Sequence, residues 1–288
     1  MHSETGQDDQ ILRPGEHALT YSVKTSASND PEFTGAELHA LRCGDNTELV
    51  LLHGFGGNLH TWDRLLPLLP PQLSTLRYDL RGFGRSVSKD LSPFNHSDDL
   101  LAVLDAAGIA RCHLLGLSMG GGIALNFALD HPDRVKSLLL ISPALVAWEW
   151  SAQWRDLWRP IVAAAQAGDM DTARQLWWQH PLFTSTRNTP AADMLRKSIM
   201  AFSGEQWLHD NQRVSLPDIE RLHRLCVPTL LLTGEQDLAD FCLIADVISA
   251  SAAHVQRVNL AGGHMLHLEL PQACADAIQS FLAAQNIE

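Results

Sequence analysis

A serine flanked by glycines lies at residues 116–120, in the order Gly-Leu-Ser-Met-Gly. It follows the strand-like residues 113–115 and opens a helix-like stretch at 121–129. G-x-S-x-G between a strand and a helix is typical of a nucleophile elbow, a sharp turn that exposes a serine hydroxyl. Side chains at the flanking positions would collide with neighbouring backbone. We therefore predict that Ser118 is a nucleophile and that the backbone N–H of Met119 faces developing negative charge.

A serine hydroxyl is a useful nucleophile only when a base accepts its proton and a carboxylate orients that base. Asp237 follows a buried strand pattern, and His264 follows the last strand pattern in the sequence Ala-Gly-Gly-His. Both are expected at the sheet edge where ligands bind in open α/β folds, in the chain order Ser, Asp, His. Asp237 and His264 are therefore the predicted acid and base. The competing candidates are Glu235 and Asp240 for the acid and His267 for the base.

A second glycine-rich turn, residues 53–57 (His-Gly-Phe-Gly-Gly), follows the first buried strand pattern. An acyl-transfer site needs two N–H donors for the oxyanion, and the N–H of Phe55 would pair with that of Met119. The same turn could be a phosphate-binding loop, but it matches neither G-x-x-x-x-G-K-[ST] nor G-x-G-x-x-G. An oxyanion hole is the prediction favoured here.

Alternating strand and helix patterns must position these residues. A continuous apolar run at 49–52 and the strand pattern at 227–233 are typical of strands buried on both faces. Residues 76–80, 135–141 and 254–260 form further strand patterns. Residues 16–25 and 36–42 alternate in part and predict an opening hairpin. Helical spacing precedes Gly108 and recurs near the end of the chain. The alternation predicts an α/β protein with a doubly wound, mostly parallel sheet covered on both faces.

Residues 144–216 contain no strand pattern and predict a helical insertion, so that 1–143 and 217–288 form the core. Pro160 should kink or restart its helix, and Thr189-Pro190 should begin another. Seven of the eight tryptophans lie in this insertion. The insertion as a whole is predicted to be a lid over an apolar substrate, whereas for any single tryptophan the favoured interpretation is packing of a helical layer onto the core. The predicted pocket residues are Trp148, Trp154, Trp158, Trp177 and Met265.

Composition limits the partners. The net charge of −12 argues against binding to nucleic acid or to anionic membrane surfaces. The polar, acidic start of the chain lacks signal-peptide features, and no apolar run is long enough to span a bilayer, so a cytoplasmic location is expected. Five scattered cysteines without C-x-x-C spacing indicate neither a zinc site nor a disulfide framework. The oligomeric state is left open.

As a set, these motifs resemble the α/β-hydrolase fold enzymes that carry a helical cap. The matching segments are 53–57, 79–86, 116–122, 131–135 and 227–229, with Asp237, Gly263-His264, Glu269 and Pro271. The resemblance implies an eight-stranded sheet, the triad Ser118, Asp237 and His264, oxyanion donors at Phe55 and Met119, and no metal or organic cofactor. Residues 79–82 and 116–121 are most similar to the esterase and enol-lactonase branch.

Three functions are compatible with this resemblance. The preferred one is a serine hydrolase of carboxylic esters or lactones. The second is a C–C bond hydrolase or cofactor-free lyase with the same triad, although ring-cleavage C–C hydrolases usually have tryptophan where Met265 stands. The third is a non-catalytic receptor for a small ligand. Haloalkane dehalogenases and epoxide hydrolases carry aspartate where this chain has Ser118, which separates it from both.

Overall fold

The computed structural model describes residues 13–23, 35–88, 92–209, 211–213 and 215–285. The predicted absence of a signal peptide depends on residues 1–9, which lie outside these ranges. Residues 24 and 25 of the predicted first strand also lie outside them. Statements below about the structure refer to the described residues.

One sheet organises the described chain. Its strands are β1 (Glu16–Val23), β2 (Ala36–Cys43), β3 (Leu49–Leu52), β4 (Thr75–Tyr78), β5 (Val87–Ser88), β6 (Cys112–Leu117), β7 (Val135–Ile141), β8 (Thr229–Gly234) and β9 (Val255–Leu260). Eight strands follow the order β1-β2-β4-β3-β6-β7-β8-β9, and the short β5 pairs with β2. The first hairpin is antiparallel and the strands from β4 to β9 along this order are parallel. The predicted mostly parallel α/β sheet is confirmed.

The central strands of the sheet are rich in leucine and buried. All residues of β3, β6 and β8 are buried, because helices cover both faces of a parallel sheet. The parallel register pairs Leu52 with Gly116 and Ile141 with both Leu117 and Leu232. The carboxyl ends of β3, β6, β7 and β8 therefore meet at one edge. The loops that carry the predicted site residues start at this edge.

The helices are α1 (His96–Ala106), α2 (Met119–Asp130), α3 (Ala152–Gln166), α4 (Met170–Gln179), α5 (Thr184–Arg187), α6 (Ala192–Ala201), α7 (Glu205–Leu208), α8 (Ala239–Ser251), α9 (Leu266–Glu269) and α10 (Pro271–Gln285). Short 3-10 turns cover Leu59–Arg64, Leu66–Leu68, Pro132–Arg134, Pro181–Phe183 and Leu222–Arg224. Helices α1, α2, α8 and α10 contact strands of the sheet. None of the helices described here has the length and apolar character needed to cross a membrane.

Helices α3 to α7 lie between β7 and β8, in the segment predicted to be helical, which we call the insertion (residues 144–216). The structure shows no restart of the helix at Pro160, which lies inside a continuous α3. Pro160 and Asp156 are both exposed, so water can satisfy the Asp156 carbonyl that loses its donor. The predicted start of the next helix at Thr189-Pro190 is wrong. Helix α6 begins at Ala192 rather than at Pro190, and the Thr189 hydroxyl instead accepts a hydrogen bond from the Ala191 N–H at 3.2 Å.

Candidate active site

Ser118 lies in a strained turn between β6 and α2. Its φ of 50° and ψ of −117° are unusual for a non-glycine residue, a conformation that costs about 1–3 kcal/mol and persists only when surrounding structure enforces it. A Cβ on Gly116 would lie 2.4 Å from the Gly120 carbonyl oxygen, and one on Gly120 would lie 2.3 Å from the Leu52 oxygen. The flanking glycines are therefore required, as the sequence predicts, because the helix start presses against β3.

His264 and Asp237 meet on the loops after β9 and β8. His264 Nδ1 lies 2.9 Å from Asp237 Oδ2 and 3.1 Å from Oδ1. A carboxylate can only accept, so Nδ1 carries a proton. His264 is buried, and its Nε2 has no hydrogen-bond partner among the described residues. Asp237 therefore orients the ring through Nδ1, and Nε2 is the nitrogen left for other contacts.

The competing acids and base have other roles. Glu235 is exposed, and Asp240 accepts hydrogen bonds from the backbone N–H and the hydroxyl of Ser151, at 3.0 and 2.6 Å. His267 Nε2 is 2.7 Å from the Thr61 hydroxyl, and burial, aided by nearby His264, lowers the pKa of His267 to about 3. The structure therefore pairs His264 with Asp237 and with neither competing acid.

The glycine-rich turn at residues 53–57 is fixed by the His53 side chain. His53 Nδ1 donates to the Gly54 carbonyl at 2.8 Å, and its Nε2 accepts the Leu80 N–H at 2.9 Å. Burial lowers the pKa of His53, which keeps the ring neutral as this pattern of donors requires. A Cβ on Gly54 would lie 3.3 Å from the Ser118 Cβ, so this turn directly adjoins the elbow.

The two predicted oxyanion donors have no competing backbone acceptor. In the part of the chain that the structure describes, neither the Phe55 N–H nor the Met119 N–H donates to a backbone carbonyl. Unpaired N–H groups at a helix start and a turn are suited to an anionic oxygen. Both residues line the same cavity as Ser118.

That cavity has a volume of about 1010 Å³ and is lined by both Ser118 and His264. No hydrogen bond joins the Ser118 hydroxyl to His264 Nε2 here, a contact that often tightens only once substrate is bound. Four of the residues proposed for the substrate pocket line this cavity: Trp154, Trp158, Trp177 and Met265.

The prediction for Trp148 is wrong, because its indole N–H points to Asp240 at 3.4 Å and the residue does not line the cavity. Sequence patterns missed Trp150 and Phe241, which both line it. Phe241 packs on the His264 ring with centroids 4.2 Å apart. Its position four residues after the acid, on the first turn of α8, was the available signal.

Two carboxylates connect the insertion to the loops of the acid and the base. Asp240, three residues beyond Asp237, holds Ser151, the N-cap of α3. Glu269 accepts from the hydroxyls of Ser185 and Thr186 at 2.7 and 2.6 Å, and from the Gly263 N–H at 2.6 Å. Through these contacts, the position of the insertion is coupled to the positions of the two loops that carry Asp237 and His264.

Within the described residues, no group of three or more His, Cys, Asp or Glu side chains is arranged to hold a metal ion. The five cysteines are free thiols. The cavity walls near Ser118 are dominated by aromatic and aliphatic side chains. Beside the elbow, the side chains of Ser118, His264 and Asp237 supply a hydroxyl, an imidazole and a carboxylate.

Comparisons with known proteins identify relatives of similar fold. The chain is 31% identical to a hydrolase from Pseudomonas aeruginosa PA01, with a TM-score of 0.76 over 91% of this chain and 98% of that one. It is 25% identical to the enol-lactonase from Burkholderia xenovorans LB400, with a TM-score of 0.74 over 86% and 97%. It is 36% identical to a candidate carbamate hydrolase, RutD, from Caulobacter vibrioides over 110 residues, or 37% of this chain and 40% of that protein.

Several curated relatives match only locally, and the chain spans about two fifths or less of their length. The family model described as alpha/beta hydrolase fold, in contrast, matches residues 48–271, from the start of β3 to the start of α10. That range contains the elbow, the insertion and both loops of the paired acid and base. The chain therefore belongs to the alpha/beta hydrolase fold family.

Proposed function

We propose that this protein is a serine hydrolase that cleaves a carboxylic ester or a lactone through an acyl-enzyme on Ser118. The observation that carries the proposal is the bond from His264 Nδ1 to Asp237, which leaves Nε2 unpartnered in the cavity wall beside the elbow. An imidazole fixed in this way can accept the serine proton as the hydroxyl attacks an acyl carbon.

In the first half-reaction the Ser118 oxygen adds to the carbonyl carbon while His264 Nε2 takes its proton. The N–H groups of Phe55 and Met119 stabilise the tetrahedral oxyanion. His264 then gives the proton to the leaving alkoxide, which departs as an alcohol. Water attacks the acyl-enzyme by the same route and releases the acid, and in a lactone the acid and the alcohol stay in one molecule.

The similarity to an enol-lactonase at 25% identity and to a hydrolase at 31% identity supports this reaction class. The insertion acts in this proposal as a cap, because aromatic residues from α3 and α4 line the cavity that contains Ser118. The expected substrate is a small, largely apolar molecule. Neither a metal ion nor an organic cofactor takes part in these steps.

Labelling with a fluorophosphonate tests the proposal, because the probe reacts only with an activated serine. Peptide mapping should find the label on Ser118, and the Ser118→Ala variant should stay unlabelled. The labelled protein should also lose turnover of p-nitrophenyl esters in proportion to labelling. A label on another residue, or full turnover by the labelled protein, would overturn the assignment.

A further inference from the structure

Helix α3 presents two parallel stripes to the cavity. Trp154 and Trp158 form an aromatic stripe, with stacked rings whose centroids are 6.1 Å apart. Arg155 and Arg159 form a cationic stripe beside it, and all four residues line the cavity. Residues four apart lie on one face of a helix, so each pair runs along the helix axis. A ligand that lies along α3 meets an apolar surface and a positive one side by side.

A third cation lines the cavity from another helix of the insertion. Lys197 on α6 is exposed and, among the described residues, makes no ion pair. Asp63 is the carboxylate among the cavity-lining residues, and it is already paired with Arg77 and with His60. The lining therefore carries an excess of positive charge, although the whole chain has 33 acidic and 21 basic residues. The composition of the chain does not account for this excess.

The guanidinium groups keep donors free for a ligand. Arg155 uses one nitrogen to donate to the Trp150 carbonyl at 2.6 Å. Arg159 pairs with Asp156 at 3.2 Å, but both side chains are largely exposed, at 75% and 68%. Exposed pairs of this kind exchange partners at little cost. A planar guanidinium binds a carboxylate through two parallel N–H bonds, which an ammonium such as Lys197 can supplement.

The cavity is large enough for a ligand that extends from Ser118 to these cations. Ligand pockets commonly have volumes of about 300–1,000 Å³, so a cavity of about 1010 Å³ exceeds what a short acyl group needs. A longer ligand with its carbonyl at Ser118 extends along the Trp154 and Trp158 rings. Its far end then reaches the cationic residues of the insertion.

We propose that the preferred substrate is an amphipathic ester or lactone whose far end carries a carboxylate, bound by Arg155, Arg159 and Lys197. This inference rests on the proposed function and names its substrate class. The apolar middle of the substrate packs on α3, and the carboxylate selects among substrates of equal length. An ordinary lipophilic ester, with a methyl group at that end, gains nothing from the three cations.

Two esters of equal length test the inference. p-Nitrophenyl octanoate ends in a methyl group, and the p-nitrophenyl monoester of octanedioic acid ends in a carboxylate. We expect kcat/KM for the carboxylate ester to exceed that for octanoate, and the preference to shrink as sodium chloride is raised, because exposed charges are screened. The triple variant Arg155→Gln, Arg159→Gln, Lys197→Gln should lower the ratio of the two kcat/KM values about tenfold.

Arg196→Gln is the matched control, because Arg196 is exposed beside Lys197 on α6 but does not line this cavity. It removes one positive charge and should leave the ratio unchanged. The inference would be overturned if the triple variant lost kcat/KM equally on both esters. It would also be overturned if Arg196→Gln lowered the ratio as much as the single variant Lys197→Gln does.

A binding measurement separates this inference from the proposed function. Calorimetric titration of the Ser118→Ala variant with methyl octanoate and with monomethyl octanedioate needs no turnover. Tighter binding of the carboxylate ester, lost in the variant that also carries the three glutamines, supports the inference even if no ester is hydrolysed. Equal affinities for the two ligands would refute it even if both esters are hydrolysed.

Discussion

Glu269 Oε2 accepts a hydrogen bond from the Gly263 N–H at 2.6 Å, and Gly263 immediately precedes His264. The same carboxylate holds the hydroxyls of Ser185 and Thr186 on α5 of the insertion. One half-buried anion therefore fixes the loop of the proposed base and the element that covers it. Its three donors explain why a charged acceptor is stable at this position.

Glu269→Gln should disturb that loop without changing the size of the side chain. An amide has one accepting oxygen, so some of the three donors lose their acceptor. We expect kcat on a p-nitrophenyl ester to fall about tenfold with little change in KM, because a small displacement of a base mainly affects the reacting geometry. Steady-state kinetics on the purified, folded variant measures kcat and KM separately.

Asp218→Asn is the control for that variant. Asp218 is buried and also ties the insertion to the core, through the Val146 N–H and the Asn126 amide at 2.9 and 2.8 Å. Among the described residues, its side-chain hydrogen bonds go to Asn126, Val146 and Arg221, which lie outside the loops of the proposed acid and base. Asp218→Asn should lower the melting temperature while kcat is retained, and a loss of kcat equal to that of Glu269→Gln would show that Glu269 acts only through stability.

Ser118→Ala tests the nucleophile directly. Removing a member of a catalytic triad typically lowers kcat by about 10⁴–10⁶-fold, because the remaining groups cannot replace covalent catalysis. Circular dichroism should be unchanged, since an alanine side chain is no larger than that of serine. A folded variant with turnover close to that of the wild type would refute the acyl-enzyme mechanism.

Asp237→Asn should lower kcat by about 10⁴-fold, because an asparagine can leave the imidazole in the wrong tautomer. Glu235→Gln is the matched control, since Glu235 lies two residues away on the same loop and is exposed. The pair is compared by kcat on one ester at one pH. A larger effect at Glu235 would mean that the wrong carboxylate has been assigned.

Buried histidines should make the protein less stable in mild acid. His96 is buried, and neither ring nitrogen has a hydrogen-bond partner within the part of the chain that the structure describes. Burial, with smaller contributions from nearby His53 and Arg81, lowers its pKa from 6.5 to about 3. Above pH 6.5 it is neutral in both states. As the pH falls below 6.5 the unfolded chain binds a proton that the folded chain refuses, so stability is lost between pH 6.5 and 3.

At pH 5 this single group should lower the free energy of unfolding by about 2 kcal/mol relative to pH 7. Urea unfolding at the two pH values measures the difference. In His96→Leu, which loses no hydrogen bond, the decrease should be smaller by roughly that amount. An identical pH dependence in wild type and variant would contradict the assignment.

The sequence predicted the features that depend on local patterns. Leucine runs of strand length identified β3, β7 and β8, and the spacing of glycines around Ser118 identified the elbow. Chain order then suggested Asp237 and His264, because a known sheet topology converts order along the chain into proximity at one edge.

What the sequence could not show depends on contacts between distant segments. Asp240 binds Ser151 across 89 residues and so turns Trp148 away from the cavity. Glu269 reaches Ser185 across 84 residues, and no local pattern predicts that partner. Pro160 does not end α3, and both Pro160 and the Asp156 carbonyl that loses its donor are on an exposed part of the helix, which is a property of the packed insertion rather than of the local sequence.

The distribution of tryptophan has a practical consequence for spectroscopy. Seven indoles belong to the insertion, and Trp62 alone lies in the core segment. The rings of Trp150 and Trp154 are stacked with centroids 4.4 Å apart, close enough for their electronic transitions to couple. Tryptophan emission, and the circular dichroism couplet that coupled indoles produce, should therefore change when the insertion detaches from the core. Backbone ellipticity should instead change when the sheet unfolds. Two optical signals from one unlabelled sample can then separate the melting of the two parts.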